Sequence, residues 1–126
     1  MPKFTSKLIL EQLDTTENRR WELRKPLIWT TSNRRIMVPA GFRTDFASVP
    51  RLFWRILPPF GLYGKAAVLH DWLYFEAMLS REAADEIFLE AMVELGVAKW
   101  KRRIMYRAVR MFGFWSYGSE KTRELR

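Results

Sequence analysis

The chain has 126 residues, of which 48% are hydrophobic and 29% charged, which is a globular composition with room for one ordinary domain and its core. It contains no cysteine, so disulfides, thiolate metal sites and cysteine nucleophiles are all excluded. Its net charge of +8 and pI of about 10.2 suit an anionic partner, and the charge is uneven: residues 71–94 hold seven acids and one base, Arg81, whereas residues 99–110 hold six bases and no acid.

The predicted class is α+β: a small N-terminal antiparallel sheet, a Pro-rich loop, and a three-helix C-terminal part that contains a helical hairpin, all within a single domain spanning 1–126. The stretches KLILEQL (7–13), RRWELRK (19–25), PLIWTT (26–31) and IMVP alternate as strands over about 7–38, with turns at DTTEN and SNRR. Residues 39–64 carry four prolines and three glycines and read as loop. Within that loop PRLFWRIL forms a short helix, started by Pro50 and stopped by Pro58 and Pro59.

From Lys65 the period becomes helical. A helix over 65–78 carries the inward stripe Ala66, Ala67, His70, Leu73, Tyr74 and Ala77. Ser80 caps a second helix over 81–95, with the stripe Ala84, Ile87, Phe88, Ala91, Met92 and Leu95, ended by Gly96. A third helix over 98–115 places Trp100, Ile104, Ala108, Met111 and Trp115 on one side and Lys99, Lys101, Arg102, Arg103, Arg107 and Arg110 on the other. The tail 118–126 is polar. No apolar run approaches the ~20 residues that span a bilayer, and the N-terminus lacks the core of a signal peptide, so no export by the usual route is expected.

The candidate chemistry centres on HDWLYFEAMLSREAADEIF (70–88). His70 is the only histidine and lies on an apolar stripe. Tyr74 and Asp85 stand at similar distances from the break between the two helices, so antiparallel packing brings them level, with His70 one turn further. Asp85 is placed to accept from the Tyr74 hydroxyl and the His70 ring together. A carboxylate that orients an imidazole in this way serves a general base. Equally, a histidine, a tyrosine and a carboxylate lock two helices as a structural network. Asp71, about 100° round the helix from His70, and Asp45 in the loop TDFAS are the candidate ligands for a hard cation such as Ca²⁺. Thr44 and Ser48 read as substrate or turn residues. No G-x-S-x-G elbow supports Ser48 as a nucleophile.

The ordered motifs GFRTDFASVPRLFW, KAAVLHDWLY, SREAADEIFLEAM and RAVRMFG resemble a family of short phage and prophage proteins catalogued as a domain of unknown function, number 1353. The resemblance covers roughly residues 36–115 and implies a phage or prophage origin. More distantly, H-D-x-x-Y followed by A-D-x-x-F is similar to the active-site helices of secreted-type phospholipases A₂. That likeness implies His70 as base, Asp71 as calcium ligand, and Asp85 with Tyr74 as the orienting pair. The chain departs from the phospholipase pattern: the segment between His70 and Asp85 is short, the half-cystines are absent, and FGLYG lies too close to the histidine to serve as the calcium loop.

Three functions follow as expectations. The first is a hydrolase acting through a His70–Asp85 dyad, with a nearby divalent cation, on a lipid or cell-envelope substrate, where the basic helix suits an anionic membrane. The second is a non-enzymatic tail, virion accessory or host-interaction protein that binds other phage proteins and in which the network is structural. The third is nucleic-acid binding through the basic helix, which no recognised reading motif supports. The hydrolase ranks slightly ahead of the accessory protein on sequence.

Overall fold

The structure, a computed structural model, describes residues 2–13, 21–44, 51–56, 63–113 and 117. The chain divides into two compact units, Met1–Asp45 and Phe46–Arg126. Among the described residues the strands fall in the first and the helices in the second.

Among its described residues the first unit contains six short strands: β1 (Lys3–Phe4), β2 (Leu10–Gln12), β3 (Trp21–Leu23), β4 (Leu27–Thr30), β5 (Arg35–Val38) and β6 (Arg43–Thr44). They form two antiparallel sheets and not one, ordered β1-β4-β5 and β2-β3-β6. The division falls at Pro26, between β3 and β4, where the missing N–H cannot extend a ladder. In the first sheet Leu27 pairs with Val38 and Trp29 with Ile36. The alternation of β4 buries Leu27 and Trp29 completely. Phe4 packs edge-on against Trp29, with ring centroids 4.7 Å apart. The turn between β4 and β5 is the SNRR turn, closed by Thr31 N–H donating to the Arg34 carbonyl. The turn into β6 uses Gly41 at φ +93°, a backbone conformation that favours glycine. Strands β1 and β6 have only two residues each, too short to produce a readable alternation.

In the second unit a 3-10 helix spans Arg51–Arg55, within the stretch read as a short helix. Helix α1 spans Gly64–Glu76, α2 Arg81–Glu94 and α3 Lys99–Phe112. The caps explain the boundaries. The Ser80 side chain accepts from the Ala83 N–H at 3.1 Å and starts α2. Gly96 at φ +80° ends it, with the Val97 N–H bonded back to the Met92 carbonyl.

Burial on α1 runs continuously from Ala66 to His70, so Val68 and Leu69 are as enclosed as the stripe of which they are not part. Helix α2 buries Ala84, Ile87, Phe88, Ala91 and Met92, the face its periodicity indicates. On α3 the inward face is turned relative to the sequence reading. Met105, Ala108 and Val109 are buried, whereas Trp100 is 58% and Met111 64% exposed. The reason is that Arg110 is drawn inward by a buried partner on α2, described below, and this rotates Met105 and Val109 to the core side. Pro50, Pro58, Pro59, Trp115, the DTTEN turn and the polar tail lie outside the described residues.

Candidate functional site

The site is a buried polar network at the meeting of the three helices. It is built on Asp85, which is on the inward face of α2 and has no solvent exposure. A carboxylate enclosed in this way is costly unless it receives hydrogen bonds. Asp85 receives them on both oxygens. Its Oδ1 accepts from His70 Nε2 at 2.7 Å and from the Tyr74 hydroxyl at 2.5 Å, both on α1. Its Oδ2 accepts from Arg110 Nη1 at 2.9 Å, on α3. Arg81, one turn before it on α2, places Nη1 3.7 Å from the same oxygen.

The helical hairpin produces this geometry. On α1, His70 and Tyr74 are four residues apart and share a face, with ring centroids at 4.1 Å. The Phe88 ring covers the other side of the imidazole at 4.6 Å. Between the helices Ala77 takes the left-handed conformation at φ +55° and ends α1. The Tyr117 hydroxyl donates to the Leu79 carbonyl at 2.5 Å and lies 3.3 Å from the Ala77 carbonyl, pinning this corner. Glycine at position 113 makes room for Tyr74: a Cβ there would collide with its hydroxyl.

Arg81 has a second task. Its guanidinium donates to the carbonyls of Val109 and Arg110, both at 2.9 Å, so it satisfies the open carbonyl end of α3. One arginine thereby bridges the buried aspartate and the terminus of a neighbouring helix.

The protonation states follow from these contacts. Burial alone would push the Asp85 carboxyl up, but hydrogen bonds from His70, Tyr74 and Arg110 together hold it below its ordinary value. It is therefore an acceptor-only carboxylate, and His70 carries its proton on Nε2 and donates. Burial depresses the His70 imidazole, against the upward pull of Asp85, so the ring is neutral at pH 7. Burial and the Asp85 charge both raise the Tyr74 hydroxyl, which stays protonated. Arg110 is held more firmly charged by Asp85.

The remaining candidate residues are placed as follows. Asp71 is half-buried on α1, next to His70 in sequence and about a quarter-turn away. Thr44 is buried in β6, opposite Trp21 of β3. Asp45 and Ser48 lie outside the described residues. Among the described residues no group of three His, Asp or Glu side chains is placed to hold a metal ion. Asp85 has its oxygens committed to His70, Tyr74 and Arg110. Among the described residues no helix is long and apolar enough to cross a membrane.

On α3, Lys99, Arg103 and Arg107 are exposed and Lys101 and Arg102 half-buried. The Lys101 ammonium sits 5.5 Å from the Trp100 ring centroid, and Arg102 donates to the Val97 carbonyl at 3.1 Å. Arg110, read from the sequence as part of the same surface, is committed inward to Asp85. Arg81 was absent from the sequence-based site. Its position four residues before Asp85 on one helix was the available signal.

No solved structure matches the chain. An uncharacterised protein of Sinorhizobium fredii (strain NBRC 101917 / NGR234), y4jT, is 43% identical over 93 residues. The match takes in 70% of this chain but 27% of the relative, so the chain spans about a quarter of that protein's length. The family model described as a protein of unknown function, DUF1353, matches residues 21–109, which contain β3 to β6, the 3-10 helix, α1, α2 and the network residues His70, Tyr74, Arg81 and Asp85. The chain therefore belongs to the DUF1353 family.

Proposed function

We propose that the chain is a phage- or prophage-encoded accessory or host-interaction domain that works by docking, and that the His70, Tyr74 and Asp85 network braces its helices. One observation carries this reading: His70 and Asp85 have zero solvent exposure and Tyr74 has 1%. A general base must reach a water that also meets the substrate. An imidazole enclosed between two aromatic rings, with Nε2 committed to a carboxylate that an arginine also holds, is arranged for rigidity. The outward chemistry lies on α3, where Lys99, Arg103 and Arg107 are exposed beside Trp100. Matching about a quarter of a longer relative also suits a module that works next to other parts. The phage attribution rests on the motif resemblance.

A hydrolase remains the second reading, favoured by the 2.7 Å contact between imidazole and carboxylate. It requires α1 and α2 to part far enough to admit water and substrate to His70.

Substituting His70 with glutamine separates the two. The docking reading expects a lower melting temperature and no turnover of anionic phospholipid vesicles by the parent protein, with or without Ca²⁺. Vesicle hydrolysis by the parent that His70→Gln abolishes at unchanged melting temperature would establish the hydrolase instead. Proteomics of purified particles after prophage induction tests virion association directly.

A further inference from the structure

Charge on the last two helices is arranged in ridges. On α2, Glu82, Glu86, Glu90 and Glu94 recur every fourth residue, and all four are exposed. On α3, Lys99, Arg103 and Arg107 recur at the same interval and are likewise exposed. A four-residue step advances an α-helix by about 6 Å and returns nearly to the same face. The two ridges therefore carry opposite charges at matching spacing.

Helices α2 and α3 pack together, yet the ridges do not neutralise each other. Among the described residues no ion pair joins them: the charged contacts linking the helices run from the inward Asp85 and Arg81. Glu82, at the start of the acidic ridge, favours the charge of Arg110, chiefly held by Asp85. Glu86, Glu90 and Glu94 thus form a row of like charges that repel along the helix, and Lys99, Arg103 and Arg107 form another. Exposed apolar side chains stand beside both rows: Val93 at 51% on α2, and Trp100 at 58% on α3.

We infer that the counter-charge comes from a second copy of this chain, with Glu86, Glu90 and Glu94 of one protomer facing Lys99, Arg103 and Arg107 of another. Val93 and Trp100 lie within the contact and lose water there. The inference rests on the docking reading and names its partner. A lipid surface or a nucleic acid would answer only the basic ridge and would repel the acidic one. A second copy answers both, in sign and in spacing. Because the two ridges belong to different helices, the contact closes as a two-fold pair or continues from copy to copy as a ring or chain.

Sedimentation velocity on the full chain tests this, using Glu86→Gln/Glu90→Gln and Arg103→Gln/Arg107→Gln. Glutamine is isosteric with glutamate and, though shorter than arginine, has a similar helix preference, and unchanged melting curves verify the fold. The parent protein is expected to gain mass with concentration in dilute salt and to return to monomer at roughly 0.5 M salt. Each variant alone should associate about tenfold more weakly, and an equimolar mixture should recover a mixed species. The arginine variant is the stringent case: it lowers net charge and general repulsion, so weaker association can come only from the lost ridge. A parent protein that stays monomeric in dilute salt overturns self-association but leaves docking to another partner standing. Variants that associate as strongly as the parent overturn the assignment of these ridges.

Discussion

Replacing Asp85 with alanine would leave the His70 N–H, the Tyr74 hydroxyl and the Arg110 guanidinium around an apolar gap. Breaking a buried charge network in this way costs about 3–5 kcal/mol, and a denaturant titration should show the midpoint fall accordingly. The pH dependence is more specific. Because the folded pKa of His70 is depressed, the unfolded chain binds its proton first as pH falls. Stability attributable to His70 is therefore complete above about pH 6.5 and declines as pH drops toward the folded value, at up to ~1.4 kcal/mol per pH unit. His70 is the only histidine in the chain, so thermal melts of His70→Gln should lose the part of the dependence that begins as pH falls below about 6.5. Asp85, also depressed, acts lower. Its contribution is present above the ordinary carboxylate value near 3.9 and disappears as pH falls through the folded value. The Asp85 contacts to His70 and Tyr74 were legible because helical period and hairpin symmetry place all three residues. The two arginines were not. A guanidinium on a long stem reaches inward or outward with equal ease, and periodicity does not say which.

At the scale of elements, two boundaries bear on the site. Ser80→Ala removes the side-chain acceptor that starts α2 and should cost about 1 kcal/mol, read as a lower melting temperature. Gly113→Ala forces a methyl group against the Tyr74 hydroxyl and ring, an overpacking cost of about 1–3 kcal/mol. Combining it with Tyr74→Phe removes the hydroxyl and leaves ring carbons at 3.0 and 3.1 Å from the new Cβ, so the double variant should recover only part of that loss. A double-mutant cycle measures the coupling. The helices were readable from sequence because each carries several turns of pattern and recognisable caps. The division of strands into two sheets was less so. It depends on which short segments pair across long separations, Lys3 with Thr30 and Glu22 with Arg43, and no local signal encodes that choice. The face of α3 was misread for a related reason. Its apolar residues permit two nearly equivalent stripes, and the buried charge on α2 selects between them.

At the scale of the molecule, association through the charged ridges would couple stability to concentration. The melting temperature should rise with protein concentration in dilute salt and become independent of it near 0.5 M, a check by calorimetry that is separate from measured mass. The carboxylate shared among α1, α2 and α3 has a different implication, for motion. A helix fixed only by apolar packing frays and opens by itself, and its amide protons exchange at its own rate. Here α1 cannot leave without exposing an aspartate still held by α3, and α3 cannot leave without releasing the carbonyls that Arg81 holds. The slowest-exchanging amides of the three helices should therefore share one opening free energy, and in Asp85→Asn that single value should split into three.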